Sequence, residues 1–150
     1  MVAFSIIRKV PNLDLIPTVR RVFSDVRIAK YDVPGSNELG EKIGSVFADN
    51  CDIAILENHG VCIGGPDMFT AFQRFETLNF AAELEILASK VGTIQPLNEK
   101  AQRMAITTYH TKMDDFIPRT RTSEELSSRR DMITLIRRSY RMGLFTATHG

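Results

Sequence analysis

Apolar and polar positions change their spacing several times along the chain, and each change predicts a secondary-structure element. Residues 26–29, Val-Arg-Ile-Ala, alternate between the two classes and predict a strand that ends near residues 31–33. A Pro-Gly pair then breaks the pattern, and Ser36 can cap the helix that follows. The spacing predicts this helix over residues 37–48, with one apolar face made by Leu39, Ile43, Val46 and Phe47.

Two short apolar runs come next, and a turn with one histidine joins them. Residues 53–56 and 61–63 predict a buried strand pair, and Glu57-Asn58-His59-Gly60 connects them. A histidine at such a strand end is either a packed side chain bonded to a backbone carbonyl or a metal ligand. Glu57 could act as a general base, but at a strand end we expect a solvated or hydrogen-bonded carboxylate.

The longest helical pattern follows the Gly64-Gly65-Pro66-Asp67 segment and runs to about Lys90, before Gly92. We expect Pro66 to occupy the first position of this helix and the acidic Asp67 to follow it. One stripe of this helix is expected to be core or interface, and it consists of Met68, Phe72, Phe75, Leu78, Ala82 and Ile86, widened by Ala71, Ala81 and Leu87. A further helix with a mostly polar face is predicted from Leu97 to about Met113.

The pattern of charged and aliphatic residues changes twice in the last third of the chain. Residues 114–130 are charged, contain a proline and are poor in aliphatic side chains, which predicts a linker or an exposed loop. Residues 131–150 return to helical spacing, with Gly143 as a stop signal. The arginines at 137, 138 and 141 form a basic patch there, which is more typical of a solvated face than of a phosphate site.

Bulk composition limits the classes of function. The chain has 150 residues, 43% hydrophobic and 25% charged, which predicts one globular domain at most. A formal charge of +1 gives no electrostatic argument for binding nucleic acid or a membrane. No apolar stretch approaches the roughly 20 residues that span a bilayer, and the N-terminus lacks the pattern of a signal peptide. Cys51 and Cys62 fit reduced thiols, so a soluble cytoplasmic protein is expected.

The segment 31–92 resembles the class II aldolase/adducin family, which includes L-fuculose-phosphate aldolase and L-ribulose-5-phosphate 4-epimerase. The Glu-Asn-His-Gly turn between apolar strands carries most of this resemblance. It implies an α/β fold in three layers, with a mostly antiparallel central sheet flanked by helices. It also implies a homo-oligomer, a small sugar-phosphate substrate and a zinc ion that polarises this substrate. His59 is the one metal ligand that the resemblance assigns to this sequence.

The sequence also departs from the family. Members have a His-x-His motif that supplies two further ligands, but the only other histidines here are His110 and His149, and no His-x-His occurs. The last residues resemble the family's opening helix. We therefore expect residues 1–113 to be the later part of one such domain, residues 114–130 to be a linker or loop, and residues 131–150 to be the start of a second domain.

Three functions are compatible with these observations. The first is zinc-dependent cleavage or epimerisation of a sugar phosphate, with the incomplete metal site of this chain completed by another chain or by a longer product. The second is a non-catalytic, adducin-like assembly domain that has lost the metal. The third is an inactive fragment.

Overall fold

The computed structural model describes residues 1–107 and 120–144. This part of the chain forms six helices and three strands. Their bounds in chain order are α1 (Val2–Ile6), α2 (Val19–Val22), β1 (Val26–Ala29), α3 (Asn37–Ala48), β2 (Ile53–Leu56), β3 (Gly60–Ile63), α4 (Met68–Val91), α5 (Glu99–Thr107) and α6 (Ser123–Arg141).

The three strands form one sheet in the order β1-β2-β3. β1 and β2 are parallel, with Val26 opposite Ile53, because helix α3 carries the chain back across the sheet between them. β2 and β3 are antiparallel, with Leu56 opposite Gly60, since only a short turn separates them. The sheet is thus mixed in the described residues, which corrects the expected mostly antiparallel arrangement. The expectation missed the helical crossover, which forces a parallel pair.

Helices cover both faces of this sheet. On one face, α2 and α4 enclose a large core that contains Val19, Phe23, Ile53, Ile55 and Leu78. On the other face, α3 packs its apolar residues against a small core of Ala29, Ala54 and Leu56. Because successive side chains of a strand point to opposite faces, the uninterrupted apolar run of β2 supplies both cores. The three-layer α/β arrangement is present.

Polar capping residues mark where α3 and α4 begin. The Ser36 hydroxyl accepts a hydrogen bond from the Leu39 N–H at 3.1 Å, as expected for the predicted helix 37–48. Asp67 caps α4 by accepting from the Thr70 N–H at 2.7 Å. Pro66 therefore precedes the cap and does not occupy the first helical position.

The apolar stripe of α4 is buried only in its middle. Leu78, Ala81 and Ala82 are at most 1% exposed, whereas Met68 is 85% and Leu87 58% exposed. A helix of 24 residues is about 36 Å long, which is more than the three short strands can cover, so both ends extend beyond the core. Helix α5 begins at Glu99 rather than Leu97, and residues 108–113 of the predicted helix lie outside the described residues.

The C-terminal helix begins earlier than predicted. α6 starts at Ser123, where the Thr122 hydroxyl accepts from the Glu125 N–H at 3.1 Å, so residues 123–130 are helical and not a loop. Charge content misled the prediction, because the Glu125 carboxylate lies near Arg121 and Arg129 at helical spacing and supports the helix. None of its residues is buried. The helix ends before Gly143, whose φ of +68° is the left-handed conformation that glycine adopts readily.

Candidate functional site

The turn between β2 and β3 has a fixed backbone. Asn58 adopts a left-handed conformation with φ of +55°, which asparagine tolerates better than most residues. Its N–H donates to the Ser5 carbonyl at 3.1 Å, and the His59 N–H donates to the Leu56 carbonyl at 3.1 Å. Since these bonds fix both sides of the turn, they define where His59 lies at the end of the strand pair.

The His59 side chain is exposed to solvent. Over residues 1–107 and 120–144 its imidazole makes no hydrogen bond to protein. The alternative of a packed histidine bonded to a carbonyl therefore does not describe this residue. An exposed imidazole on a fixed turn is available to a ligand, and its role as a metal ligand stays a prediction.

Glu57 has a structural role beside the histidine. Its N–H donates to the Ala29 carbonyl at 3.1 Å, and its Oε2 accepts from the Tyr31 N–H at 3.1 Å. The guanidinium of Arg8 lies 3.9 Å from the same carboxylate and also donates to Asn58 Oδ1 at 3.4 Å. Glu57 thus ties the turn to the segment after β1, in agreement with the expectation of a hydrogen-bonded carboxylate.

The described residues do not form a complete metal site. Nowhere in these two ranges do three or more His, Cys, Asp or Glu side chains come together in a group that could hold a metal ion. Cys51 is a buried free thiol that donates to the Ile53 carbonyl at 3.1 Å, and Cys62 is half-buried against the small core. His110 and His149 lie outside the described residues. A zinc ion with three protein ligands does not fit the residues that the structure describes.

A cleft at the other end of the sheet was not predicted from the sequence. It has a volume of about 870 Å³ and lies where α2, α4 and α5 meet the start of β2. At its floor the Arg74 guanidinium is 2.9 Å from the Asp52 carboxylate, and both side chains are less than one-fifth exposed. The residues that line it come from separate segments of the chain, and no local motif connects them.

The arrangement of the described elements is an α/β fold of a known type. The family profile described as "Class II Aldolase and Adducin N-terminal domain" matches residues 1–86. Because this match covers more than half of the 150 residues, the chain belongs to that family. A comparison with curated proteins gives no match. No helix within the described ranges is long and apolar enough to cross a membrane.

Several solved structures have a similar fold. An L-fuculose 1-phosphate aldolase superposes with a TM-score of 0.59 at 22% identity, over 72% of this chain and 50% of its own. YgbL from Escherichia coli, described as a candidate aldolase, epimerase or decarboxylase, gives 0.61 at 21% identity, over 71% and 52%. YgbL from Klebsiella pneumoniae gives 0.60 at 22% identity, over 69% and 51%. The chain spans about half the length of these structures, and at such identities the likeness shows the fold.

Proposed function

We propose that this chain contributes one metal-binding histidine, His59, to a composite active site of the class II aldolase type. The observation that carries the proposal is the exposed imidazole on a turn whose backbone is fixed by hydrogen bonds on both sides. The reaction class that we propose is zinc-dependent cleavage or epimerisation of a small sugar phosphate, and membership in the family supports it.

The remaining ligands come from outside the described residues. One imidazole binds zinc weakly, because the affinity of a site comes from several deprotonated ligands held together. We therefore propose that the chain works in the cytoplasm as a homo-oligomer or beside a further chain that completes the site. Within this proposal, residues 1–113 form the later part of an aldolase-type domain and residues 131–150 the start of a second one. Of residues 114–130, the structure describes 120–130, and those from Ser123 onward belong to α6.

Native mass spectrometry of the full chain, purified without chelator, tests the proposal. We expect an oligomer that carries zinc, and we expect His59→Gln to release the zinc without changing the oligomer. Glu38→Gln, an exposed position on α3, is the matched control and should change neither. A zinc-bearing oligomer should then be assayed for cleavage of L-fuculose 1-phosphate. If the His59→Gln variant keeps its zinc, His59 is not a ligand and the proposal is wrong.

A second candidate is a non-catalytic, adducin-like assembly domain. It is favoured by α6, where Met132, Leu135 and Ile136 are each about half exposed or more and no residue is buried. Apolar side chains in such a row usually pack against a partner. An oligomer that stays intact and metal-free after incubation with zinc would favour this candidate over the lyase.

A further inference from the structure

The cleft beside β2 is rich in arginine. Four guanidinium groups face it, those of Arg20, Arg21, Arg74 and Arg103, against the carboxylates of Asp52 and Glu99. These six ionisable side chains sum to +2, and Asp14, which pairs with Arg20, lowers the net charge around the cleft to +1. A concave surface on which positive side chains outnumber negative ones favours anions. We call this surface the arginine cleft.

The floor of the arginine cleft is held rigidly. Arg74 pairs with Asp52 and also donates through Nη1 to the Gly64 carbonyl at 2.5 Å. The same Asp52 carboxylate accepts from both the N–H and the hydroxyl of Ser24, at 2.6 and 2.7 Å. The ion pair neutralises Asp52 and Arg74 together, so Asp52 offers little repulsion to an anion above it, and Arg74 contributes mainly a fixed hydrogen-bond donor.

The walls of the cleft carry guanidinium groups that can serve a ligand. Arg20 forms a two-point pair with Asp14 at 2.7 and 3.1 Å, and the pKa of Arg20 is raised mainly by this hydrogen bonding. The pair holds the guanidinium in place and uses two of its five N–H donors. At the rim, Arg103 pairs with Glu99 at 2.6 Å, but both side chains are more than 70% exposed. Such exposed pairs contribute little, so an incoming anion can compete with Glu99 for the Arg103 guanidinium.

We propose that the arginine cleft binds a small phosphorylated molecule that carries two or more negative charges. Guanidinium groups bind phosphate oxygens through paired hydrogen bonds, and several of them around one cleft favour a multivalent anion. The volume of about 870 Å³ is suitable for such a molecule. Val22 and Ile106 add apolar surface for its organic part.

This ligand site is separate from the His59 turn. Asp52 immediately precedes β2, whereas His59 follows its other end, so the strand separates the two sites by roughly 13 Å. A ligand of the arginine cleft therefore does not reach the imidazole. The inference goes beyond the proposed function and stands or falls independently of it.

Calorimetric titration of the full chain with inorganic pyrophosphate tests the proposal, with inorganic phosphate as the weaker probe. At constant ionic strength we expect saturable binding of pyrophosphate that weakens as sodium chloride is added. Arg21→Gln and Arg103→Gln should each weaken it about fivefold or more, since each removes a charge-assisted contact. Glu99→Gln should tighten it, because the variant removes a negative charge from the rim.

Two controls make the outcome specific. Arg27→Gln removes an exposed, ion-paired arginine outside the cleft, which pairs with Asp25 and Asp49, and should leave the affinity unchanged. His59→Gln should also leave it unchanged, which distinguishes failure of this inference from failure of the proposed function. The inference is overturned if pyrophosphate does not saturate, or if Arg27→Gln weakens binding as much as the cleft variants do. Thermal unfolding of each variant verifies that it is folded.

Discussion

Leucine-to-alanine substitutions at two positions of α4 test whether the core has the composition described above. Leu78 is fully buried in the large core against the sheet, whereas Leu87 on the same helix is 58% exposed. Leu78→Ala removes three carbons from water-free surroundings, which costs about 2.4 kcal/mol of transfer free energy. The cavity that remains adds to this cost, so the expected loss in the free energy of unfolding is about 3–4 kcal/mol. For Leu87→Ala the buried fraction predicts about 1 kcal/mol.

Urea unfolding followed by circular dichroism measures both losses. The midpoint of Leu78→Ala should fall well below that of Leu87→Ala, with similar slopes for the two variants. In thermal unfolding the Leu78 substitution should lower Tm by about 10 °C. Equal losses for the two variants would refute the assignment of the core in the isolated chain. A loss at Leu87 that grows with protein concentration would instead show that this end of α4 is buried between copies.

Three further substitutions probe the remaining structure. Asp52→Asn should lower the free energy of unfolding in urea by about 2–3 kcal/mol, because it leaves the partly buried Arg74 charge without its carboxylate. A loss below about 0.5 kcal/mol would contradict a stabilising ion pair. Gly44→Ala should stabilise α3 by about 0.5–1 kcal/mol, whereas Gly65→Ala should destabilise, since its Cβ would lie 2.9 Å from a backbone nitrogen of α4. Thermal scans would contradict this pair if both variants shifted Tm in the same direction. Hydrogen bonds from the backbone N–H and the hydroxyl of Thr70, in the first turn of α4, lower the pKa of Asp67 below 3.8. The cap therefore stabilises the fold fully above pH 3.8, and this contribution is lost as the pH falls through the lowered pKa. Asp67→Asn should remove this part of the acid dependence, and unchanged acid unfolding would contradict it.

The elements themselves could be predicted because their signals are local. Alternation over residues 26–29 predicted β1, which ends at Ala29 and not near residues 31–33 as expected, and the cap at Ser36 predicted α3 with its observed bounds. Two apolar runs predicted β2 and β3. The low aliphatic content of the charged segment around Glu125 predicts a loop, but its ion pair at helical spacing supports a helix. The division of the chain into domains, and the role of His59 as a metal ligand, remain predictions.

Periodicity in the sequence predicted the three strands, α3 and α4, but not α1, α2 or the start of α6. The family motif marked His59 as the residue of interest. Only the tertiary structure decided that β1 and β2 are parallel, since pairing depends on where α3 returns the chain. It alone showed that His59 is exposed and that just the middle of α4 is buried. It also brought Arg20, Arg74 and Arg103 together at one cleft, although more than 80 residues separate the first from the last. Local spacing fixes hydrogen bonds within a few residues, but burial and charge at a site depend on contacts between distant segments, which no short pattern encodes.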